Sequence, residues 1–334
     1  MKAIFLSEGK ETVLRVFSEN IRKRLNALAD FSSTVYNKKD IADAPADFLD
    51  VEIIFSTWGM PVFTEEEIKE YFPSLRCIFY AAGTVQAFAR PFLACGVRVF
   101  SAWAANAVPV AELTVAEIIL AGKGFYAYSR ALRSRKANLA AREHRTPYPG
   151  NYGVRVGLVG CGMIGSLVAE RLKAYDLEVV AFDPFLSDER AKTLGVTRVT
   201  LEELFASSQV ISNHLANNEK TVGMLNYALF NKMLPNSTFL NTGRGAQVVE
   251  ADLVKILRER PDITAVLDVT DPEPPIDDHP FYTLDNCFLT PHIAGSLENE
   301  LVRMAEYMLE EFLLYAKGAP QRYEVTEKML ATMA

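Results

Sequence analysis

Three glycines, Gly160, Gly162 and Gly165, stand in a GxGxxG pattern within VRVGLVGCGMIGSLVAERL. An apolar run ends just before them at Val159, and a helical stretch opens among them at Met163. A strand that turns into a helix through such glycines suits a phosphate ligand. Gly160 permits the tight turn, Gly162 lets the backbone approach a pyrophosphate, and Gly165 lets helix and strand pack closely. Met163 and Ile164 then lie in the first helical turn, where free N–H groups and a partial positive charge face an anion. Asp183 closes the next apolar run, LEVVAFDPF, eighteen residues beyond Gly165. A carboxylate there accepts hydrogen bonds from adenosine ribose hydroxyls and repels a 2'-phosphate. A tight turn with a surface Asp would explain each part singly, but the coincidence of strand, glycines, helix, second strand and terminal acid points to a dinucleotide. No Arg or Lys follows Asp183 before Arg190, so the expected cofactor is NAD, with NADH preferred over NADPH.

Three later segments, FLNTGRGAQ, LDVTDPEP and LTPHIAGS, each follow an apolar run. In a doubly wound sheet the carboxyl ends of strands line the ligand crevice, so Arg244, Glu273 and His292 can converge from distant parts of the chain. Arg244 can clamp a carboxylate with two parallel hydrogen bonds and polarise a neighbouring carbonyl. Imidazole is the side chain suited to proton transfer near neutral pH, so His292 can deliver the proton that accompanies a hydride. Glu273 would orient that imidazole and favour its charged form. The set suits hydride transfer to a small 2-oxo acid or from a 2-hydroxy acid. Taken singly each residue has a plainer reading: an exposed turn Arg, a solvated loop Glu, a structural His. Thr242 and Gly243, beside Arg244, are counted with the cofactor residues. Of the remaining histidines, His144 sits in a polar connection and His279 in a loop rich in Pro and Asp. His214 follows a strand and can approach the cofactor, although a structural role also explains it.

The elements that must position these residues are legible as short apolar runs alternating with helical stretches, the pattern of parallel strands joined by crossover helices. Strands are expected at Ala3 to Leu6, Val51 to Phe55, Cys77 to Tyr80 and Val97 to Phe100, with helices at Thr12 to Leu28, Glu65 to Tyr71 and Gln86 to Ala94. A long helix from Val108 to about Arg133 is expected to connect two domains, and the loop Thr146 to Gly153 to end the first. Further strands are expected at Val154 to Val159, Glu178 to Phe182, Gln209 to Asn213, Thr238 to Asn241, Thr264 to Asp268 and Cys287 to Leu289, a doubly wound sheet of about six. A last helix, Glu298 to about Ala316, can pack back on the N-terminal part.

With 334 residues, 49% of them hydrophobic and 23% charged, the chain can bury a large core in two domains. A formal charge of -7 supplies no basic field for nucleic acid or an anionic membrane. Cys77, Cys95, Cys161 and Cys287 are scattered, which argues against a disulfide framework and a zinc site, so no metal is expected. No stretch reads as long and apolar enough to span a bilayer, and no signal-peptide core is apparent, so the cytoplasm is the expected compartment.

Together, VGLVGCGMIG with Asp183, NTGRG, DVTDPEP, TPHIAGS and NAVPVAELTVAE resemble the D-isomer-specific 2-hydroxyacid dehydrogenase family. By that resemblance the catalytic Arg, Glu and His fall on Arg244, Glu273 and His292, and a nicotinamide-amide contact falls on Asp268. Ala82, Gly83 and Thr84 look like the loop that helps hold the substrate carboxylate, with Asn106 a further substrate residue. The resemblance implies a Rossmann domain over 102–296, inserted into a discontinuous, flavodoxin-like substrate domain over 1–101 and 297–334, and a homodimer. Departures gather where substrate is chosen: AAGTVQAFAR replaces the usual Gly-rich loop with its following Asp, Trp103-Ala104 replaces Pro-Gly, and Ala216 replaces a Pro. Trp58 is a bulky candidate for the cleft or, more simply, a core residue. An alternative is an NAD(H)-sensing, corepressor-like protein without turnover. A third is a formate or phosphite enzyme, against which Glu273 counts, since the formate enzymes pair the His with Gln.

Overall fold

The computed structural model describes residues 1–143 and 147–330, which leaves His144 and Thr146 outside the described residues. The chain forms two compact units, an N-terminal unit of 1–107 with 296–334 and a central unit of 108–295.

The N-terminal unit holds strands β1 (Lys2–Leu6), β2 (Asp30–Tyr36), β3 (Val51–Ser56), β4 (Cys77–Tyr80) and β5 (Arg98–Ser101). Their order is β2-β1-β3-β4-β5, all parallel, with the short strand Glu324–Val325 antiparallel on β5. This is the flavodoxin-like order. β2 is absent from the sequence-based expectation because DFSSTVY is polar. As the edge strand it pairs only with β1, and an edge strand need not be apolar on both faces. The helix expected over Thr12 to Leu28 is two helices, Lys10–Val16 and Glu19–Asn26, because the Ser18 hydroxyl caps the second by accepting the Ile21 N–H. The helix expected from Gln86 is shorter, Ala89–Ala94. Helix Leu301–Ala316 buries Leu301, Met304, Ala305, Met308, Leu309 and Phe312, one helical stripe, against Phe5, Phe55 and Phe79 of the sheet. Trp58 is not a core residue; it is 39% exposed.

The central unit holds β6 (Val154–Val159), β7 (Leu177–Phe182), β8 (Thr197–Arg198), β9 (Val210–Asn213), β10 (Thr238–Asn241), β11 (Thr264–Leu267) and β12 (Cys287–Leu289). The parallel order β8-β7-β6-β9-β10-β11-β12 is that of a Rossmann sheet with a seventh strand. The strand beyond the expected six is β8, only two residues long. The register of the other six strands decides where the chemistry lies. Phe182, Val159, Asn213, Asn241, Leu267 and Leu289 form one row of paired residues across six strands. The residues that follow, Asp183, Gly160, His214, Thr242, Asp268 and Thr290, therefore leave the sheet side by side along one edge.

Helix Trp103–Gly122 begins earlier than expected. Gly124, at φ 67°, separates it from helix Phe125–Ala131, and helix Arg135–Glu143 follows. The chain passes between units inside the long helix, at 107/108 rather than at the expected 101/102, because Ala102 and Ala105 pack in the N-terminal core. Ala111, Val115 and Ile118 pack on β6 in the central core. This helix also corrects the expectation about apolar stretches. With a mean hydropathy of 1.5 it is long and apolar enough to cross a bilayer, but 56% of its apolar window is buried inside the protein, as in a core helix.

Candidate active site

Each of the central unit's motif residues stands at or just beyond the carboxyl end of a parallel strand. Gly160, at φ 95°, makes the turn out of β6, and a Cβ there would come within 2.7 Å of the His214 carbonyl oxygen. A Cβ on Gly165 would collide with the Gly160 carbonyl, the close strand-helix approach expected of this position. A Cβ on Gly162 would meet nothing within 4 Å, and Met163 beside it is 44% exposed at the start of helix Met163–Leu172. The loop thus presents open space in front of a helix N-terminus, with Ile164 half-buried behind it. That geometry fits a diphosphate.

Asp183 follows β7. Its Oδ2 accepts the Cys161 N–H at 2.7 Å and its Oδ1 the Phe185 N–H at 2.8 Å, so the carboxylate is already fixed against the glycine loop. Arg190 donates from Nη2 to Ser166 Oγ at 2.9 Å, in the first turn of the helix after the glycines. His214 is buried, with Nε2 2.9 Å from Ser212 Oγ and no partner for Nδ1 among the described residues. Burial pushes its pKa down to about 4, so the ring is neutral at pH 7.

Beyond β10, the Thr242 hydroxyl lies 3.1 Å from that of Thr114, and the Gly243 N–H donates to Asn241 Oδ1. The Arg244 backbone is gripped at both ends, its N–H by Gln247 Oε1 and its carbonyl by Asn241 Nδ2. Asn213 Nδ2 donates to Asn241 Oδ1 and to Gln247 Oε1, at 2.9 and 2.5 Å. These three buried amides were not singled out from the sequence, although a polar amide closing an apolar strand is a readable signal. The Arg244 side chain donates to the Gly243 carbonyl at 2.7 Å. Burial lowers its pKa, and the negative charge of Glu273 opposes that shift. Gly245 explains how the two loops meet, because a Cβ there would lie on the Thr270 carbonyl.

Beyond β12, His292 adopts φ 54°, a left-handed conformation uncommon outside glycine. Its N–H donates to the carbonyls of Asp268 and Thr290, and its Nδ1 lies 2.6 Å from Glu273 Oε1. The two side chains are 44% and 41% exposed. Asp268, buried at the end of β11, accepts from Thr290 Oγ1 and the Ile293 N–H on Oδ1 and from the Ala294 N–H on Oδ2. Its carboxylate therefore organises the loop that displays His292. Near it, burial and then the Asp268 charge push the Glu117 pKa up to about 8, leaving a neutral acid at pH 7. Glu117 too was missed, inside a run read only as apolar helix. Among the described residues no three His, Cys, Asp or Glu side chains gather as a metal ion would require.

In the N-terminal unit, Ala82, Gly83 and Thr84 follow β4. Ser101 Oγ donates to the carbonyls of Ala82 and Gly83, and the exposed Thr84 hydroxyl accepts the Gln86 N–H. Asn106 Oδ1 accepts the Ser296 N–H at 3.0 Å.

Residues 115–294 match the model of the D-isomer specific 2-hydroxyacid dehydrogenase, NAD binding domain. The chain belongs to this family. The resemblance drawn from the motifs and the doubly wound architecture are both borne out. A relative in Archaeoglobus fulgidus named D-3-phosphoglycerate dehydrogenase is 34% identical over 232 residues, 69% of this chain and 43% of that protein. The chain thus spans under half the length of that relative. A glyoxylate reductase of Korarchaeum cryptofilum is 29% identical over 255 residues, 76% of this chain and 77% of the other. The solved D-mandelate dehydrogenase of Rhodotorula graminis superposes with a TM-score of 0.81 at 19% identity, over 98% of this chain and 97% of that one, a likeness of fold.

Proposed function

We propose that this member of the family is an NAD-dependent oxidoreductase that interconverts a small 2-oxo acid and the corresponding 2-hydroxy acid. The observation that carries the reading is the 2.6 Å contact between Glu273 and His292, on loops packed beside Arg244. When bound, NADH supplies the hydride that reduces C2 of the acid. His292 gives the accompanying proton to the carbonyl oxygen, and takes it back in the oxidation. Its Nδ1 is turned to Glu273, so Nε2 is the nitrogen free to meet substrate. Arg244 binds the carboxylate and polarises the carbonyl. The dinucleotide is assigned to Gly160, Gly162, Met163, Ile164, Gly165 and Asp183, with His214, Thr242, Gly243 and Asp268 along the same sheet edge. Preference for NADH follows from the negative charge of Asp183.

A homodimer in the cytoplasm completes the proposal. The four cysteines are free and three are buried, which supports a reducing setting.

The test is oxidation of NADH with glyoxylate, hydroxypyruvate, pyruvate, branched and aromatic 2-oxo acids and phosphohydroxypyruvate. Turnover with one steep preference is the expected outcome. Tight NADH binding without turnover on any of them overturns the assignment in favour of a nucleotide-sensing protein.

A further inference from the structure

The loop from Asp271 to Asp278 is exposed at nearly every residue, yet it must hold Glu273 at a defined place. One side chain outside the chemistry meets it at both ends, by a hydrogen bond at one and by a longer approach at the other. Glu250, the first residue of helix Glu250–Glu259, is only 13% exposed. Its Oε1 accepts the Asp271 N–H at 2.9 Å, two residues before Glu273. Its Oε2 lies 3.7 Å from Nε2 of His279, six residues after Glu273. His279 is anchored in turn: its Nδ1 accepts the Phe281 N–H at 3.3 Å, and its ring packs on that of Phe281, which is buried in the central core. A neutral imidazole that accepts through Nδ1 carries its proton on Nε2, so the N–H is turned toward the Glu250 carboxylate.

We propose that Glu250, with His279, is a positioning residue for the acid–base pair: it closes the loop across Glu273 and so sets the distance from Glu273 to His292. The proposal rests on the role assigned above to that pair. Burial and then the Asp271 charge raise the pKa of Glu250 while the Asp271 N–H opposes them, and burial lowers that of His279. Neither side chain belongs to the glycine loop or to the Asp183 site, which follow β6 and β7, two or more strands away from β10 and β11 along the sheet.

The experiment compares wild type, E250A, E250Q, H279Q, E273Q and the double variant E250A/E273Q in kcat, KM, NADH affinity by fluorescence, and Tm. E250A is expected to lower kcat about two- to fourfold, no more than E273Q does because Glu250 acts through Glu273, with NADH affinity unchanged. E250Q, which still offers an acceptor to the Asp271 N–H, should recover part of that loss. The double variant should be no slower than E273Q, since Glu250 acts through Glu273. A near-normal kcat in E250A, an additive loss in the double variant, or a loss of NADH affinity matching that of kcat overturns the proposal. Should E250A fail to fold, E250Q and H279Q carry the same comparison.

A second readout does not depend on turnover. The short Glu273–His292 hydrogen bond should give a downfield imidazole N–H proton signal, assignable among only four histidines and displaced upfield in E273Q, where the acceptor is a neutral amide oxygen. Loss or displacement of that signal in E250A supports positioning even if no 2-oxo acid is turned over. An unchanged signal refutes it.

Discussion

Replacing Glu273 by Gln isolates what its charge contributes. The amide keeps the size of the side chain and an oxygen that can accept from Nδ1 of His292, but the contact ceases to be charge-assisted. Charge-assisted hydrogen bonds contribute about 1.5–3 kcal/mol and neutral ones about half of that. Both side chains are about two-fifths exposed, so water screens the pair and the lower end applies. The difference of about 0.8 kcal/mol corresponds to about a fourfold fall in kcat. Removing His292 itself should cost about 10² to 10⁴. The decisive comparison is the double-mutant cycle, run at saturating NADH on the best 2-oxo acid. If Glu273 acts only through His292, E273Q should change the rate of H292A by no more than about twofold. Equal losses from E273Q in the wild-type and H292A backgrounds would show that Glu273 works elsewhere, on substrate or through Arg244. The variant should leave Tm nearly unchanged, because exposed ion pairs contribute only about 0–1 kcal/mol to stability.

Four further outcomes are expected. Asp183→Ser should raise the ratio of kcat/KM for NADPH to that for NADH by about tenfold or more, since a charge repelling the 2'-phosphate is gone; an unchanged ratio refutes the cofactor preference. Gly245→Ala should lower Tm and reduce activity, because the new methyl meets the Thr270 carbonyl and overpacking costs about 1–3 kcal/mol; a wild-type Tm would show that the loops do not meet as described. In the N-terminal unit Glu311 is fully buried and accepts from Arg322 Nε and from the N–H groups of Arg322 and Tyr323, so Glu311→Ala should destabilise that unit by about 3 kcal/mol in urea unfolding. Finally, His214 is neutral when folded, with its pKa lowered from 6.5 to about 4 by burial, so the unfolded chain binds more protons and stability falls as pH drops from 6.5 toward 4. At pH 5 the loss from this one group is about 2 kcal/mol relative to pH 8, and His214→Gln should abolish that part of the slope.

What the sequence disclosed follows from which forces act locally. The central strands β4, β6 and β10 coincide with largely apolar runs, because both faces of a central parallel strand are buried, and the edge strand β12 coincides with the short apolar run Cys287–Leu289. β2 and β8 escaped because edge strands need no such pattern. The break at Ser18 is a cap within a continuous apolar stripe, and a cap competes with periodicity only when tertiary packing selects it. In the site, glycines and reactive side chains announce themselves by type, whereas their supports do not. Glu117, Gln247 and Glu250 have ordinary residue types, and only long-range register reveals that each faces a functional loop.

The exposed reactive groups and their buried supports divide the work between them. His292 and Glu273 must meet solvent and ligand, and neither is held by burial of its own side chain. Their precision comes from the backbone, through Asp268, whose carboxylate takes three donors from the His292 loop, and Glu250, which spans the Glu273 loop. Arg244 is served in the same way by the amides of Asn241 and Gln247. All of these supports except Glu250 sit in or next to the aligned row of strand ends, so the rigid sheet transmits its register to loops that carry little core of their own. A substitution at Glu250 or Gln247, supports outside the cofactor site, should therefore reduce kcat while sparing cofactor affinity, and one at Asp183 or the glycines should do the reverse. That separation is what the sheet edge predicts, and an enzyme whose loops were positioned chiefly by bound ligand would not show it.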